Sequence, residues 1–92
     1  MQNTTSVVRW VPGSKDIVYI GRPSKWGNPF RIGQHGNRAQ VIQKYTVWLW
    51  QPGQAALRAA ARRELRGKKL GCFCVPQFCH GHILSSVAHS VE

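Results

Sequence analysis

Apolar residues along the chain fall into three short runs and three longer periodic stretches. The short runs predict β-strands over residues 7–11, 17–20 and 68–73. Pro12 and Gly13 end the first run, which is typical of an edge strand. The second run reads Ile-Val-Tyr-Ile and is apolar at every position, which favours a central strand covered on both faces.

The longer stretches predict three helices. A helix of about thirteen residues follows Asn37, a suitable N-cap, and a second helix covers residues 54–66 before the helix-ending Gly67. A third helix covers residues 81–91. The first and third helices carry apolar residues at the spacing of one buried face. These are Val41, Ile42, Tyr45, Trp48 and Leu49 in the first, and Ile83, Leu84, Val87, Ala88 and Val91 in the third.

This order of elements predicts a small α/β fold, with a mixed or parallel sheet of two to three strands packed by three helices. The 92 residues fit a single domain, residues 1–92, in which the polar segment 1–6 is loose. Residues 21–36 contain four glycines and two prolines and predict a long loop. Ligands gather at the carboxyl ends of strands in such sheets, so we expect this loop and the residues around Cys72 to share one cleft.

The composition adds a strong positive charge, because the chain has 13 Lys and Arg residues and only three acidic residues, which give a formal net charge of +10. Such a balance favours nucleic acid or a phosphate-bearing small molecule as the partner. Arginines spaced by four residues predict a basic row on the second helix, which two lysines extend. The row consists of Arg58, Arg62 and Arg66, followed by Lys68 and Lys69.

Residue usage also predicts where the protein acts. No run approaches the about 20 apolar residues of a membrane span, and residues 1–8 lack the pattern of a signal peptide. Three cysteines within residues 72–79 form a poor disulfide framework and a reasonable metal or thiolate cluster. We therefore expect a cytoplasmic protein with no membrane partner.

The first part of the long loop, residues 21–30, carries the groups that hold phosphates and stack bases. Two cations, a hydroxyl and an amide are available for phosphate, and an indole ring for a base. The predicted ligand-binding residues are Arg22, Ser24, Lys25, Trp26 and Asn28. In the alternative interpretation, Trp26 and Phe30 fill the core beneath an ordered loop. The loop has no Walker or dinucleotide glycine fingerprint.

The second candidate site is formed by Cys72, Cys74, Cys79 and His80. Three cysteines and a histidine are a common ligand set for tetrahedral zinc, with His82 as a spare ligand. Against zinc, this spacing differs from that of a zinc ribbon, and adjacent residues such as Cys79 and His80 do not easily bind one ion together. Alternatively, the start of the third helix favours the thiolate form of Cys79, with His80 or His82 as its catalytic base. A third interpretation treats the cysteines as small apolar residues of a buried strand.

The sequence resembles a family of small bacterial and phage proteins known only as a domain of unknown function. The resemblance rests on the patterns GRxxxWGNPF and CxCxxxxCHG, with residues 18–20 and 64–68. It implies a phage or mobile-element setting and a set of signature residues. These are Arg22, Trp26, Asn28, Cys72, Cys74, Cys79 and His80. His82 stands where relatives often carry an acid.

Three functions follow from these observations. The leading hypothesis is a small domain that binds nucleic acid or a nucleotide through its phosphates. The alternative is a small enzyme acting on a nucleotide or nucleoside, with Cys79 and His80 or a bound metal as the reactive group. The third is a phage protein that inhibits a host factor through an exposed Trp50.

Overall fold

The computed structural model describes residues 4–73 and 77–91, which form three β-strands and three α-helices. The strands are β1 (Ser6–Arg9), β2 (Ile17–Tyr19) and β3 (Lys69–Cys72). The helices are α1 (Arg38–Leu49), α2 (Ala55–Glu64), which follows a 3-10 turn over Pro52–Gln54, and α3 (His80–Ala88). The predicted small α/β fold and the order of its elements are confirmed. No helix within the described ranges is long and apolar enough to cross a membrane.

The three described strands form one parallel sheet in the order β1-β3-β2. β1 is an edge strand, as predicted, but the predicted central position of β2 is wrong because β3 lies between the two. Both faces of β2 are nevertheless partly covered, and each of its three residues is half-buried. Val18 packs against the core on one face, and Ile17 packs beside Gly71 on the other.

The segment that connects β1 to β2 crosses β3 at Gly71. A Cβ atom at residue 71 would lie 2.7 Å from the Trp10 ring and 3.2 Å from the Trp10 Cα atom. A larger side chain would therefore push the crossing segment away from the sheet. The Trp10 ring also packs on Tyr19, with 5.0 Å between ring centroids. This segment covers the face of β3 opposite to Leu70, which is buried in the main core.

The helices begin and bury their apolar faces largely as predicted. Asn37 caps α1: its side chain accepts from the backbone N–H of Gln40 at 2.9 Å, and the Gln40 side chain accepts from that of Asn37 at 2.8 Å. The predicted apolar residues of α1 are buried, except that Trp48 is half-buried. In α3 Ile83 is half-buried, and Val91 is exposed because the helix ends at Ala88.

Arg58 does not belong to an open basic row. Only 5% of the residue is exposed, and its Nη1 atom donates to the backbone carbonyls of Leu49 and Gln51, each at 2.8 Å. The last carbonyls of a helix lack partners within the helix, so a cation placed there is favourable. Arg58 thus caps the end of α1, and its guanidinium also lies 5.1 Å from the ring centroid of Trp50, which is exposed as predicted.

Arg62 and Arg66 donate hydrogen bonds at the end of α3 and to the residues just after it. Arg66 Nε donates to the carbonyl of Ala88 at 2.8 Å, and Arg62 Nη1 donates to the hydroxyl of Ser90 at 3.3 Å. The four-residue spacing of the arginines thus fits the ends of two packed helices. The predicted row is therefore corrected at Arg58, which is buried, whereas Arg66, Lys68 and Lys69 are exposed and their contact with phosphate stays a prediction.

The segment expected to be loose, residues 1–6, is anchored from Thr5 onward. Thr5 is buried, its hydroxyl donates to the Leu65 carbonyl at 3.0 Å, and its backbone N–H donates to His89 Nε2 at 3.1 Å. Ser6 begins β1, and residues 1–3 lie outside the described ranges.

Candidate functional site

A cleft of about 530 Å³ lies where β2 and β3 end, and we call it the strand-end cleft. Its walls come from the loop after β2, the first turns of α1 and α3, and the end of β3. The prediction that the long loop and the residues around Cys72 share one cleft is confirmed, because Arg22 and Asn28 line it together with Cys72. A second hollow of about 580 Å³ beside α1 is lined by neither a cysteine nor an arginine among the described residues.

Two thiols and one imidazole meet at the buried end of the strand-end cleft. Cys72 ends β3, Cys79 is the N-cap of α3, and His80 is the first residue of that helix. One potential ligand atom from each lies within 4.8 Å of the other two. The predicted fourth ligand, Cys74, lies outside the described residues. This group can hold a metal ion.

The imidazole of His80 is fixed in one orientation. Its Nε2 atom lies 2.8 Å from the backbone carbonyl of Ile20, and its ring packs edge-on against Tyr45 at 5.2 Å. A carbonyl can only accept, so Nε2 carries the hydrogen and Nδ1 of the neutral ring keeps its lone pair. Burial lowers the pKa of His80, and the nearby Arg22 charge lowers it further, although the hydrogen bond to Ile20 opposes both effects. His80 is therefore a neutral ligand or base near pH 7.

Cys79 is held by its own helix terminus. Its Sγ atom accepts from the backbone N–H of Gly81 at 3.4 Å, and its backbone N–H donates to His82 Nδ1 at 3.0 Å. The His82 ring stacks on Phe78 with 4.7 Å between centroids. His82, which the sequence offered as a spare ligand, therefore serves to cap α3, and His80 is the histidine of the cleft.

The prediction that Trp26 stacks a base is wrong. Trp26 is 3% exposed and belongs to the main core. Its backbone carbonyl accepts from the Tyr45 hydroxyl at 2.9 Å. Burial raises the pKa of Tyr45, which keeps that hydroxyl protonated. The core interpretation is confirmed for Trp26, whereas Phe30 is half-buried and lines the strand-end cleft.

The other predicted loop residues divide into two groups. Asn28 is buried and joins the loop to α1, since its Nδ2 atom donates to the Val41 carbonyl at 3.1 Å. Lys25 pairs with Glu64 at 2.9 Å, and Ser24 accepts from a backbone N–H within the same loop. Neither Lys25 nor Ser24 lines the strand-end cleft. Of the five predicted ligand-binding residues in this loop, only Arg22 and Asn28 reach it.

Three arginines line the strand-end cleft, and none of its described lining residues is acidic. Arg22 donates to the Asn28 carbonyl at 2.7 Å, which orients its guanidinium. Arg31 and Arg38 were not predicted, although both lie within or just after the long glycine-rich loop. Arg38 is the first residue of α1, where the helix macrodipole disfavours a cation. That unfavourable position was the available signal for an anion site.

Residues 5–90 match the family model described as Domain of unknown function (DUF4326). The chain belongs to this family. It is 30% identical over 93 residues to an uncharacterized protein of Acanthamoeba polyphaga mimivirus, an alignment that covers 82% of this chain and 68% of that relative. It is 31% identical over 74 residues to an uncharacterized 12.4 kDa protein in the nrdA-td intergenic region of Enterobacteria phage T4, covering 78% and 67%. No solved structure matches this DUF4326 chain.

Proposed function

We propose that this DUF4326 chain binds a nucleotide in the strand-end cleft. The observation that carries the proposal is the convergence of Arg22, Arg31 and Arg38 on a cleft whose described lining contains no acid. A guanidinium presents paired donors that match phosphate oxygens, and such charge-assisted hydrogen bonds are about twice as strong as neutral ones. A phosphate group is therefore the ligand chemistry that this lining favours.

The positions of two helices support the same ligand. The first turns of α1 and α3 both contribute to the strand-end cleft. Each helix N-terminus carries about half a positive elementary charge from the aligned peptide dipoles. An anion in the cleft would interact favourably with both termini as well as with the arginines, and the formal net charge of +10 would speed its arrival.

The apolar part of the cleft suits a planar ring. Tyr19, Phe30 and Phe73 line it, and Phe73 is largely exposed. Stacking on an aromatic side chain stabilises a bound base by about 1–3 kcal/mol. The cleft volume of about 530 Å³ falls in the usual range for small-molecule sites. Phosphate contacts beside an aromatic surface together favour a nucleotide over inorganic phosphate.

Calorimetric titration with AMP, GMP, CMP and UMP at low salt tests this proposal. We expect one mononucleotide to bind per chain, and we expect Arg38→Ala to weaken that binding about 10- to 100-fold through loss of a charge-assisted hydrogen bond. Alanine favours the helix, so this variant should keep its fold. The matched control is Arg63→Ala, which removes the same charge from an exposed position of α2 outside the cleft.

Two results would contradict nucleotide binding in this cleft. One is the absence of mononucleotide binding at low salt. The other is an equal loss of affinity in Arg38→Ala and Arg63→Ala, which would indicate attraction to the overall charge. A parallel titration with a single-stranded oligonucleotide tests for nucleic-acid binding. Oligonucleotide affinity that falls steeply with salt, without any mononucleotide binding, would favour a nucleic-acid partner.

The second candidate is a small enzyme that acts on the bound nucleotide or nucleoside. The specific observation that favours it is the meeting of Cys72, Cys79 and His80 at the buried end of the same cleft. Thiolate and imidazole ligands suit zinc, and a thiolate at a helix N-terminus suits nucleophilic attack. Zinc is the better match, because three potential ligand atoms lie within 4.8 Å of one another around a common centre.

Metal analysis of freshly purified protein tests the zinc version. We expect close to one zinc ion per chain, with most of it lost in Cys79→Ser. Serine also caps helices well, so this variant should keep α3 intact. A metal-free protein in which iodoacetamide labels Cys79 much faster than the other thiols would instead support the thiolate version. A metal-free protein with uniformly slow thiols would argue against the enzyme candidate altogether.

A further inference from the structure

Cys72, Cys79 and His80 at the end of the strand-end cleft suit a metal ion that keeps one coordination position without a protein ligand. Zinc bonds of about 2.3 Å to sulfur and about 2.1 Å to nitrogen place neighbouring tetrahedral ligands about 3.5–3.8 Å apart. The three potential ligand atoms lie within 4.8 Å of one another, so shifts of about 1 Å would bring them to bonding positions around one ion.

The outer contacts of His80 match those of a metal ligand. A metal-bound histidine usually donates its second ring N–H to a carbonyl or carboxylate, which fixes the ring and its tautomer. The contact of His80 Nε2 with the Ile20 carbonyl has this form, and it leaves the Nδ1 lone pair for an ion. Tyr45 also packs against the ring edge-on, so protein contacts alone hold the imidazole on two sides.

The same three residues line the strand-end cleft. All three ligand-bearing side chains are buried from bulk solvent, yet each contributes to the cleft wall. No other cysteine, histidine or acid lines the cleft among residues 4–73 and 77–91. Structural zinc sites are closed by four protein ligands, whereas catalytic sites keep one position for water or substrate.

We propose that Cys72, Cys79 and His80 hold a zinc ion whose fourth coordination position opens into the strand-end cleft. An exchangeable water molecule occupies that position until the ligand of the cleft supplies an oxygen atom in its place. The nature of this incoming ligand rests on the proposed nucleotide function, but the open position does not. Zinc at this position takes part in ligand binding or in chemistry, because the ligand of the cleft binds directly to the ion.

Cobalt(II) substitution of the full chain tests this proposal, because visible absorption reports the ligands of cobalt. We expect one bound Co²⁺ with a sulfur-to-cobalt charge-transfer band. At saturating Co²⁺, we expect each ion that Cys79→Ser still binds to give about half of the parent intensity, because one thiolate remains. We expect sodium azide to shift the d–d bands by entering the open position. We also expect the charge-transfer intensity to be unchanged in Cys74→Ser.

Either of two results would overturn the open site. A fall of about one third in charge-transfer intensity in Cys74→Ser would identify a third thiolate and a closed structural site. Unchanged d–d bands in excess azide would show that no position is exchangeable. Absence of any sulfur-to-cobalt band in the parent protein would remove the metal site itself.

The azide measurement needs no nucleotide, so it separates this proposal from the proposed function. AMP that displaces azide from the Co²⁺ protein would support both. Azide binding without binding of AMP, GMP, CMP or UMP would contradict the nucleotide function and leave the open metal site supported. AMP binding to the metal-free protein, together with azide-insensitive bands, would contradict the open site and leave the nucleotide function supported.

Discussion

Replacement of Trp26 with alanine is expected to lower the free energy of unfolding by about 3–5 kcal/mol. The indole is 3% exposed and packs in the main core, so its removal leaves a cavity beneath the loop. The loss is a large fraction of the about 5–15 kcal/mol that stabilises a typical domain. Urea denaturation followed by circular dichroism measures it.

The exposed Trp50 provides the matched control for this experiment. It is 42% exposed, and Trp50→Ala removes mainly its cation–π contact with Arg58, so we expect a loss of about 0.5–1 kcal/mol. Equal losses in the two variants would be inconsistent with a core role for Trp26. So would a Trp26→Ala protein with unchanged stability and abolished nucleotide binding, which would restore the base-stacking interpretation.

Replacement of Arg58 with alanine is expected to destabilise the fold by about 2–4 kcal/mol. The change removes two hydrogen bonds from a charged donor and leaves the carbonyls of Leu49 and Gln51 without that donor at the end of α1. Equilibrium unfolding measures the effect. Arg58→Lys should recover only part of the loss, because an ammonium group lacks the planar guanidinium that also lies over the Trp50 ring.

Arg63→Ala is the control on the same helix, since its side chain is mostly exposed and its contact with Glu64 is 3.7 Å long. A surface pair of this kind contributes about 0–1 kcal/mol, so we expect little change. Binding distinguishes the two interpretations of Arg58 as well. An Arg58→Ala protein of full stability that has lost salt-dependent oligonucleotide binding would return the arginine row to a phosphate-binding role.

Local signals in the sequence predicted the helices well. The Asn37 cap and the buried face of α1 depend on neighbouring residues, and both could be derived from residue types and spacing. The position of β2 could not, because an apolar run indicates coverage of both faces without indicating what covers them. Here the segment that contains Trp10 crosses the sheet at Gly71. It covers the sheet face on which Gly71 and Tyr19 lie, without a further strand or helix.

The candidate site was predicted in outline, because both of its segments follow strands whose carboxyl ends meet. The choice of side chains within the loop was less successful. Trp26 and Lys25 have the chemistry of ligand contacts, but the loop turns the indole into the core and pairs the ammonium group with Glu64. Which way a loop residue points depends on distant partners that local sequence does not reveal. Arg31 was missed for the same reason, whereas Arg38 could have been found from its position at the start of a predicted helix.

The central position of β3 has a consequence for how the chain is made by the ribosome. Within the described sheet, β1 and β2 pair only with β3, which follows them by about fifty to sixty residues. Synthesis from the N-terminus therefore releases both edge strands and two helices before any strand pair can form. The late segment from Lys69 to Ala88 then completes the sheet and brings Cys72, Cys79 and His80 together, so folding and assembly of the cleft are a single late event.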